Sequence, residues 1–493
     1  ALATAFFGGD PDNFNFPRYD LDISFLRLYK DGQPAPTPDH LRWNPTPPTA
    51  GQPVFIAGNP GTTERLLTAD QLESLRDVVL PQTLLQLSEF RGRLIEFGHQ
   101  GPEQARIADR ELFGVENSFK AFSGEFQALS DPAFIDGKRR ADDELRARVA
   151  ADPALAARTG DPWKEIATAQ ADRAALNATW RLLEARPGFG SQLLSYGRGL
   201  VRAARERTLP NADRLPQYTD SRLPLLEKQI LDETPVYPAL ERLELEFWLT
   251  KIREYLTADA PETKIYLGAA SPETLAARLS VSSLGDPAVR KALWDGGMAA
   301  IQASRDPMIL FVLATDPTAR AVRTAYEEKV SGPSDRASER IAAARFAVYG
   351  TKVYPDATFT PRLSFGKVEG WTRRGRTVPP FTTFAGLWTR ATGQPPFELA
   401  PSWLAARGKL DPATIFDFVT DNDIVGGNSG SPAIDAKGEV IGAAFDGNIW
   451  SLGGDFAFDD AVNRSVIVST AAATEALRKV YGQESLVKEL LAP

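Results

Sequence analysis

The stretch "TDNDIVGGNSGSPAIDAKGEVIGAAFDGN", residues 420–448, is the most informative part of this sequence. It places three glycines, Gly426, Gly427 and Gly430, around Ser429, which is more glycine than a single turn requires. A nucleophilic serine needs an exposed hydroxyl group, a nearby base, and backbone N–H donors that face the developing oxyanion. Glycine before the serine lets the N–H groups of Gly427 and Ser429 converge on one point, so these two residues form a candidate oxyanion hole.

The order of residues in this cluster is G-x-S-G-x-P, which is typical of chymotrypsin-like serine peptidases. It does not fit the G-x-S-x-G elbow of α/β-hydrolases, because Ser431 occupies the final glycine position. The flanking residues read as β-hairpins, with Pro432 at the start of the next strand. The alternative interpretation is a glycine-rich turn whose serines bind local backbone groups, and Ser431 is the second candidate for the nucleophile.

The chymotrypsin order of catalytic residues is His, Asp, Ser, so an aspartate is expected well upstream of Ser429. The segment "DISFLRLY", residues 22–29, alternates in polarity and is predicted to be a strand. Asp22 opens this strand, and Asp20 lies two residues earlier on the same predicted face. Spacing alone does not choose between these two carboxylates, and each is also a reasonable turn or strand-end residue.

Composition restricts the possible functions. A chain of 493 residues is too long for one core and predicts two or three domains. The 56 basic and 64 acidic residues give a net charge of −8, which argues against a nucleic-acid partner. No apolar run reaches the length of a membrane span. Cysteine is absent and histidine occurs twice, so we expect no disulfides, no metal site and no cofactor.

The order of predicted elements is β, then α, then β. Residues 1–66 contain strand-like runs such as "QPVFIAG", whereas residues 67–345 carry helical periodicity, with helix starts such as "SPET" and "DPAV". Residues 346–493 return to strands and end in a helix. A helical block inserted within a β domain explains this order better than two unrelated domains.

Several motifs resemble the bacterial dipeptidyl-peptidase 7 and 11 family of serine exopeptidases. They are "FGGDPDNFNFPRYDLDISFLRLY" (7–29), "GNPGTTERL" (58–66), "ENSFKAFSGE" (116–125), "VYPDATFTPRLSFGKVEG" (353–370) and the stretch 420–448 quoted above. The resemblance implies a chymotrypsin-like double β-barrel, its first barrel incomplete in this chain, with a large inserted all-α domain. The predicted domains are residues 1–66 as part of the first barrel, residues 67–345 as the insertion, and residues 346–493 as the second barrel with a C-terminal helix.

The resemblance also implies roles for individual residues. It selects Asp22 over Asp20 as the catalytic aspartate and Ser429 as the nucleophile. The family binds the free amino terminus of the substrate with an asparagine and a tryptophan, which correspond here to Asn13 and Phe14. Its further contacts correspond to Asn117 and Asp446.

An α-ammonium group needs anionic and carbonyl acceptors at a fixed distance from the nucleophile, so these residues together predict cleavage after two residues. Asp446 is otherwise an ordinary turn residue. Family members that prefer Asp or Glu before the cut bond carry arginine after this aspartate. Gly447 stands there instead, so the resemblance implies an uncharged specificity pocket for apolar or aromatic residues.

The activity implied is the release of dipeptides from peptide substrates by a periplasmic or secreted bacterial enzyme, with a homodimer as one candidate assembly. The family's general base is a histidine well before the aspartate, but no histidine precedes Asp22. His40 and His99 follow it, in the wrong order for the triad. We expect an amino-terminal segment from a longer precursor or a second chain, or a truncated sequence. A non-catalytic peptide-binding pseudoenzyme is the third explanation, and a trypsin-like endopeptidase is the other enzymatic reading.

Overall fold

The structure is a computed structural model that describes residues 2–492. The chain divides into two compact units. We call the first the sheet unit; it comprises Ala1–Ala69, Asn117–Ala141 and Tyr349–Pro493. We call the second the helical unit; it comprises Asp70–Glu116 and Asp142–Val348.

The strands within residues 2–492 are short and concentrate near the two ends of the sequence. In chain order they are β1 (Tyr29–Lys30), β2 (Gln33–Pro34), β3 (Arg42–Trp43), β4 (Pro53–Gly58), β5 (Arg362–Lys367), β6 (Trp371–Arg373), β7 (Arg376–Val378), β8 (Phe381–Thr383), β9 (Ile415–Thr420), β10 (Pro432–Ile434), β11 (Glu439–Gly447) and β12 (Ser465–Ser469).

The α-helices lie mostly between β4 and β5. In chain order they are α1 (Leu2–Ala5), α2 (Gly9–Asp12), α3 (Ala69–Ser74), α4 (Leu80–Gly98), α5 (Pro102–Leu129), α6 (Pro132–Ala150), α7 (Pro153–Thr159), α8 (Pro162–Trp180), α9 (Gln192–Glu206), α10 (Leu223–Ile230), α11 (Pro238–Leu256), α12 (Pro261–Leu267), α13 (Pro272–Leu279), α14 (Pro287–Ala303), α15 (Pro307–Tyr326), α16 (Gly332–Tyr349), α17 (Phe384–Arg390), α18 (Pro401–Ala406), α19 (Thr470–Lys479) and α20 (Glu484–Leu490).

The main sheet of the sheet unit has the strand order β5-β4-β10-β11-β12-β9-β8, and β3 pairs with β11. All neighbours along this path are antiparallel. Just after β5, Val368 forms an antiparallel bridge with Thr420 at the end of β9. The first and sixth strands of the series therefore meet. The six strands follow one another around a core formed by Val54, Ile56, Val368, Phe418, Ala433, Ile441, Ala444 and Ile467.

Alternation of apolar residues explains why β4 forms and which way it faces. Val54 and Ile56 are buried, whereas Pro53 and Ala57 are exposed, as the two-residue period of a strand requires. The predicted strand in this region is therefore confirmed. The predicted helix at the C-terminal end is confirmed as α19, whose Ser469 hydroxyl accepts hydrogen bonds from the amides of Ala471 and Ala472.

The strand predicted over residues 22–29 is wrong. Residues 22–28 form no strand, and only Tyr29 enters one, as the first residue of β1. An alternating pattern becomes a strand only where a neighbouring backbone supplies the ladder. Within the part of the chain that the structure describes, the one backbone bond from residues 22–28 to another segment is at Leu28, whose carbonyl accepts the Ala35 amide at 2.9 Å. Leu26 and Leu28 are 88% and 71% exposed.

The helical unit forms because apolar residues recur at helical spacing behind polar caps. The predicted helix starts are confirmed: Ser271 caps α13 by accepting the Thr274 amide, and Asp286 caps α14 by accepting the Ala288 amide. Each is followed by proline at the first helical position. The core of this unit includes Trp248, Leu249, Leu279 and Met308, all almost fully buried. No helix within residues 2–492 combines the length and the apolar character needed to cross a bilayer.

Candidate active site

Ser429 lies on an exposed turn between β9 and β10, within the sheet unit. Gly427 has φ of 101° and Gly430 has φ of 84°, values that favour glycine strongly over other residues. The turn therefore depends on the glycines that flank Ser429, as the sequence indicated. Ser429 is exposed, whereas Ser431 is only 7% exposed.

Along this turn, backbone amides that donate a hydrogen bond within the protein alternate with amides that do not. The amide of Asn428 donates to Val425 O at 3.1 Å, and the amide of Gly430 donates to Ala444 O at 2.7 Å. In residues 2–492, the amides of Gly427 and Ser429 donate to no acceptor. Two unoccupied N–H groups beside an exposed hydroxyl are what oxyanion stabilisation in acyl transfer requires.

The segment after β4 packs closely against the turn. The amide of Gly61 donates to Gly426 O at 2.7 Å. A Cβ on Gly427 would lie 2.7 Å from Asn59 O and from Gly61 N. A Cβ on Gly58 would lie 1.9 Å from the Oγ of Ser431. The sequence led to no predicted role for "GNPG" (58–61), although its two glycines are a pattern that could have indicated this close packing.

The residues predicted to bind a free amino terminus are brought together in two pairs. Asn13 Nδ2 donates to Asn117 Oδ1 at 3.0 Å, and the Phe14 amide donates to Asp446 Oδ2 at 2.9 Å. Asp446 Oδ1 accepts the Gly447 amide at 2.8 Å. Burial raises the pKa of Asp446, and the neighbouring Arg18 guanidinium opposes this increase. Asn13 and Phe14 are consecutive, so both pairs lie at one place in the sheet unit.

Asp22 and Asp20 occupy different environments. Asp20 is fully buried, its Oδ2 accepts Arg18 Nε at 2.7 Å, and burial raises its pKa to about 7. Asp22 is partly exposed, and its carboxylate accepts no hydrogen bond from the residues that the structure describes. Burial raises the pKa of Asp22, Arg18 lowers it, and Asp446 raises it. The Asp22 carboxylate can therefore accept a further hydrogen bond, whereas the Asp20 carboxylate is buried and bonded to Arg18.

Both histidines lie beside residues of their own local segment. His40 is exposed, and its Nδ1 lies 3.0 Å from Thr37 O in the sheet unit. His99 is exposed, and its Nδ1 lies 3.8 Å from Glu96 Oε2 in the helical unit. The His40 contact is within hydrogen-bond distance, whereas the His99 separation is too long for a hydrogen bond.

Gly447 lies at the end of β11, where it pairs with Ser465 of β12. A Cβ at this position would lie 2.2 Å from the Oγ of Ser451. The space beside Gly447 is therefore occupied by Ser451. The sequence did not indicate this neighbour, because Ser451 follows in a short helical turn outside the strand.

Comparison with known proteins shows which enzymes this chain is similar to. The chain is 26% identical over 547 residues to an Asp/Glu-specific dipeptidyl-peptidase of Shewanella putrefaciens, covering 98% of this chain and 72% of that protein. It is 25% identical over 528 residues to dipeptidyl-peptidase 7 of Capnocytophaga gingivalis, covering 98% of this chain and 70% of that protein. The crystal structure of Porphyromonas endodontalis DPP11 with the dipeptide Arg-Glu matches at a TM-score of 0.78 and 21% identity, covering 98% and 72% of the two chains.

These relatives correct one prediction. The sequence led us to expect an apolar or aromatic residue before the cut bond, because Gly447 stands where arginine was expected. The Shewanella relative, which matches almost the whole chain, is named as specific for Asp and Glu. This name contradicts the apolar preference, which is therefore wrong. Ser451 Oγ occupies the space that a side chain at position 447 would need.

The family model for peptidase S46 matches residues 1–492. The mixed α/β architecture with its large helical part agrees with the match to the DPP11 structure. The chain therefore belongs to the peptidase S46 family and is a serine peptidase.

Proposed function

We propose that this protein releases dipeptides from the free amino termini of oligopeptides, with Ser429 as the nucleophile. The observation that carries the proposal is the pairing of two features in the sheet unit. One is an exposed serine beside two unoccupied amides, and the other is the group formed by Asn13, Asn117 and Asp446. The first feature supports acyl transfer, and the second supports recognition of an ammonium group.

In the proposed reaction, Ser429 Oγ attacks the carbonyl carbon of the scissile bond while a histidine accepts the hydroxyl proton. The negative charge that develops on the carbonyl oxygen is bound by the amides of Gly427 and Ser429. The histidine then donates the proton to the leaving amine, and water releases the dipeptide in the reverse sequence. Asp22 orients this histidine and stabilises its charged form.

The histidine of this mechanism is supplied from outside residues 1–493. His40 and His99 are exposed beside residues of their own segments, and both follow Asp22 in the chain. Asp22 keeps a partly exposed carboxylate with no hydrogen-bond donor among the described residues, which is the state expected before a histidine docks. A segment of a longer precursor or a second chain fulfils this requirement.

Substrate length is set by the distance between the ammonium site and Ser429. A carboxylate has about four lone-pair sites, and Asp446 uses three of them for Arg18, Phe14 and Gly447. The remaining site on Oδ1, with the side-chain carbonyl oxygens of Asn13 and Asn117, can accept hydrogen bonds from the α-ammonium group. Only a substrate with a free amino terminus satisfies these acceptors.

The proposal extends to architecture and location. The six-strand series around the core of the sheet unit corresponds to the second barrel of a chymotrypsin-like fold. In this proposal, residues 346–493 form most of the second barrel and its C-terminal helix, β4 from residues 1–66 completes that barrel, and the rest of residues 1–66 contributes to the first barrel. Residues 67–345 form the helical insertion, of which Asn117–Ala141 belong to the sheet unit. By the family resemblance, the protein acts in the periplasm or outside the cell.

The proposal is tested with the enzyme that contains its histidine-bearing segment. Fluorogenic dipeptidyl substrates with free and with acetylated amino termini are compared for the wild type, Ser429→Ala and Ser431→Ala. We expect cleavage of the free substrates alone, complete loss in Ser429→Ala, and retention in Ser431→Ala. Equal cleavage of acetylated substrates would instead identify an endopeptidase. Binding of dipeptides without any turnover would identify a peptide-binding protein.

A further inference from the structure

Arg18 is buried at the centre of the amine-binding residues. It is only 6% exposed, and its guanidinium group makes three short hydrogen bonds. Nε donates to Asp20 Oδ2 at 2.7 Å, and Nη1 donates to Asp446 Oδ2 at 2.7 Å and to Asp12 O at 2.6 Å. The guanidinium also lies 5.5 Å from the centroid of the Phe445 ring.

These bonds connect two parts of the sheet unit that are distant in sequence. Residues 13–28 contain no helix or strand, yet they carry Asn13, Phe14 and Asp22. Their position therefore depends on side-chain bonds and on burial of Leu21 in the adjacent core. Arg18 fixes this segment to β11 through Asp446. The planar guanidinium holds both carboxylates in a defined geometry, which the single ammonium of lysine cannot do.

Arg18 also carries the positive charge that interacts with four nearby carboxyl groups. Asp20 and Asp22 come from its own segment, Asp417 from β9 and Asp446 from β11. Burial raises the pKa of each of these carboxyl groups, and Arg18 lowers the pKa of each. Without this cation, Asp446 would keep its repulsion with the carboxylates of Asp20 and Asp22, which favours its neutral form.

We propose that Arg18 is the positioning residue of the amine-binding site: it holds the Asp446 carboxylate charged and at a fixed place relative to Asp22. The inference rests on the proposed function, since it assumes that Asp446 binds the substrate's ammonium group. Arg18 itself does not touch substrate. Its effect reaches the substrate through Asp446 and through the segment that carries Asn13.

The test measures dipeptide binding by calorimetry between pH 5 and pH 8, so it does not depend on turnover. The probes are the dipeptides Arg-Glu and Gly-Phe and their N-acetyl forms. The variants are Arg18→Gln and Arg18→Lys. Arg390→Gln is the matched control, because Arg390 pairs with the carboxylate of Asp12, the last residue of α2 just before this segment, with its Nε 3.2 Å from Asp12 Oδ2. Circular dichroism verifies the fold of each variant.

We expect Arg18→Gln to weaken binding of the free dipeptides by about 10- to 100-fold while binding of the acetylated forms stays unchanged. The pH at which affinity is half lost on acidification should move upward, because the pKa of Asp446 rises when the cation is removed. Arg18→Lys keeps the charge, so it should retain the wild-type midpoint with about 10-fold weaker binding. Arg390→Gln should resemble the wild type.

Equal affinities and equal midpoints in Arg18→Gln and the wild type would overturn the inference alone. If Arg18→Gln does not fold, Arg18→Lys decides: binding identical to the wild type would show that the guanidinium geometry is not needed. If the wild type binds free and acetylated dipeptides equally, the proposed function fails together with this inference. The three results are therefore distinguishable.

Discussion

Gly58→Ala tests whether the segment after β4 shapes the turn that carries Ser429. The new Cβ would lie 1.9 Å from Ser431 Oγ, 2.9 Å from Ser431 Cβ and 2.8 Å from Asn428 Oδ1. Real Cβ atoms essentially never approach other heavy atoms within 3.0 Å. Rotation of the hydroxyl removes the first overlap but not the other two, so the backbone of the turn must also move.

The size of the effect follows from these distances. Ser431 lies two residues after Ser429, and relief of the two remaining overlaps requires displacements of about half an ångström. A misplacement of about 1 Å costs about 100-fold in rate at an active site, so about 10-fold is the lower end of the expected loss. Overpacking of this kind also reduces the free energy of unfolding by about 1–3 kcal/mol. We therefore expect kcat/KM to fall by about 10- to 100-fold, together with a moderate loss of stability in urea titrations.

Two further variants make the measurement specific. Gly426→Ala changes the same turn, but its Cβ would meet nothing within 4 Å, so its activity should stay near that of the wild type. The double variant Gly58→Ala with Ser431→Ala removes the closest overlap and should recover part of the activity. Wild-type activity and labelling of Ser429 by a fluorophosphonate in Gly58→Ala would refute the reasoning.

Three other predictions concern the oxyanion donors, the ammonium site and the buried carboxylates. Gly427→Ala should lower kcat by about 100-fold or more, because the new Cβ meets backbone atoms at 2.7 Å and displaces a proposed oxyanion donor. Steady-state kinetics measures this loss. Gly430→Ala is the comparison, because its new Cβ meets nothing within 4 Å. Asp446→Asn should weaken dipeptide binding by about 10- to 100-fold in calorimetry and leave N-acetyl dipeptides unaffected. The pKa of Asp20 is about 7 in the folded state against an ordinary value of 3.8, so its contribution to stability is present below about pH 4 and is lost as the pH rises to about 7. Urea titrations from pH 4 to pH 8 should show a decline of a few kcal/mol in the free energy of unfolding, and Asp20→Asn should flatten it.

The turn around Ser429 could be predicted from the sequence because its constraints are local. Gly427 and Gly430 adopt backbone angles that glycine tolerates best, and Pro432 begins β10 as expected. Helices of the helical unit could be predicted for a similar reason, since caps such as Asp286 act within three residues. Glycine turns and helix caps depend on residues that are close in the sequence, so they can be recognised in the sequence itself.

The remaining features depend on contacts between distant segments. Residues 22–28 have the alternation of a strand, but among the described residues only Leu28 bonds to the backbone of another segment, at Ala35. Arg18 is separated from Asp446 by 428 positions, and no periodicity connects them. The overlap between Gly58 and Ser431 arises only because β4 and β10 are adjacent in the sheet. Such contacts follow from the tertiary structure, so a single sequence does not display them.

The most direct test of the central claim is mass spectrometry of an unlabelled oligopeptide digested by the enzyme with its histidine-bearing segment present. The account predicts that the first products are dipeptides removed successively from the free amino terminus. It also predicts no products from the N-acetylated peptide or with Ser429→Ala. Internal fragments, or equal digestion of the acetylated peptide, would contradict the proposed role of Asn13, Asn117 and Asp446 in setting the cleavage position.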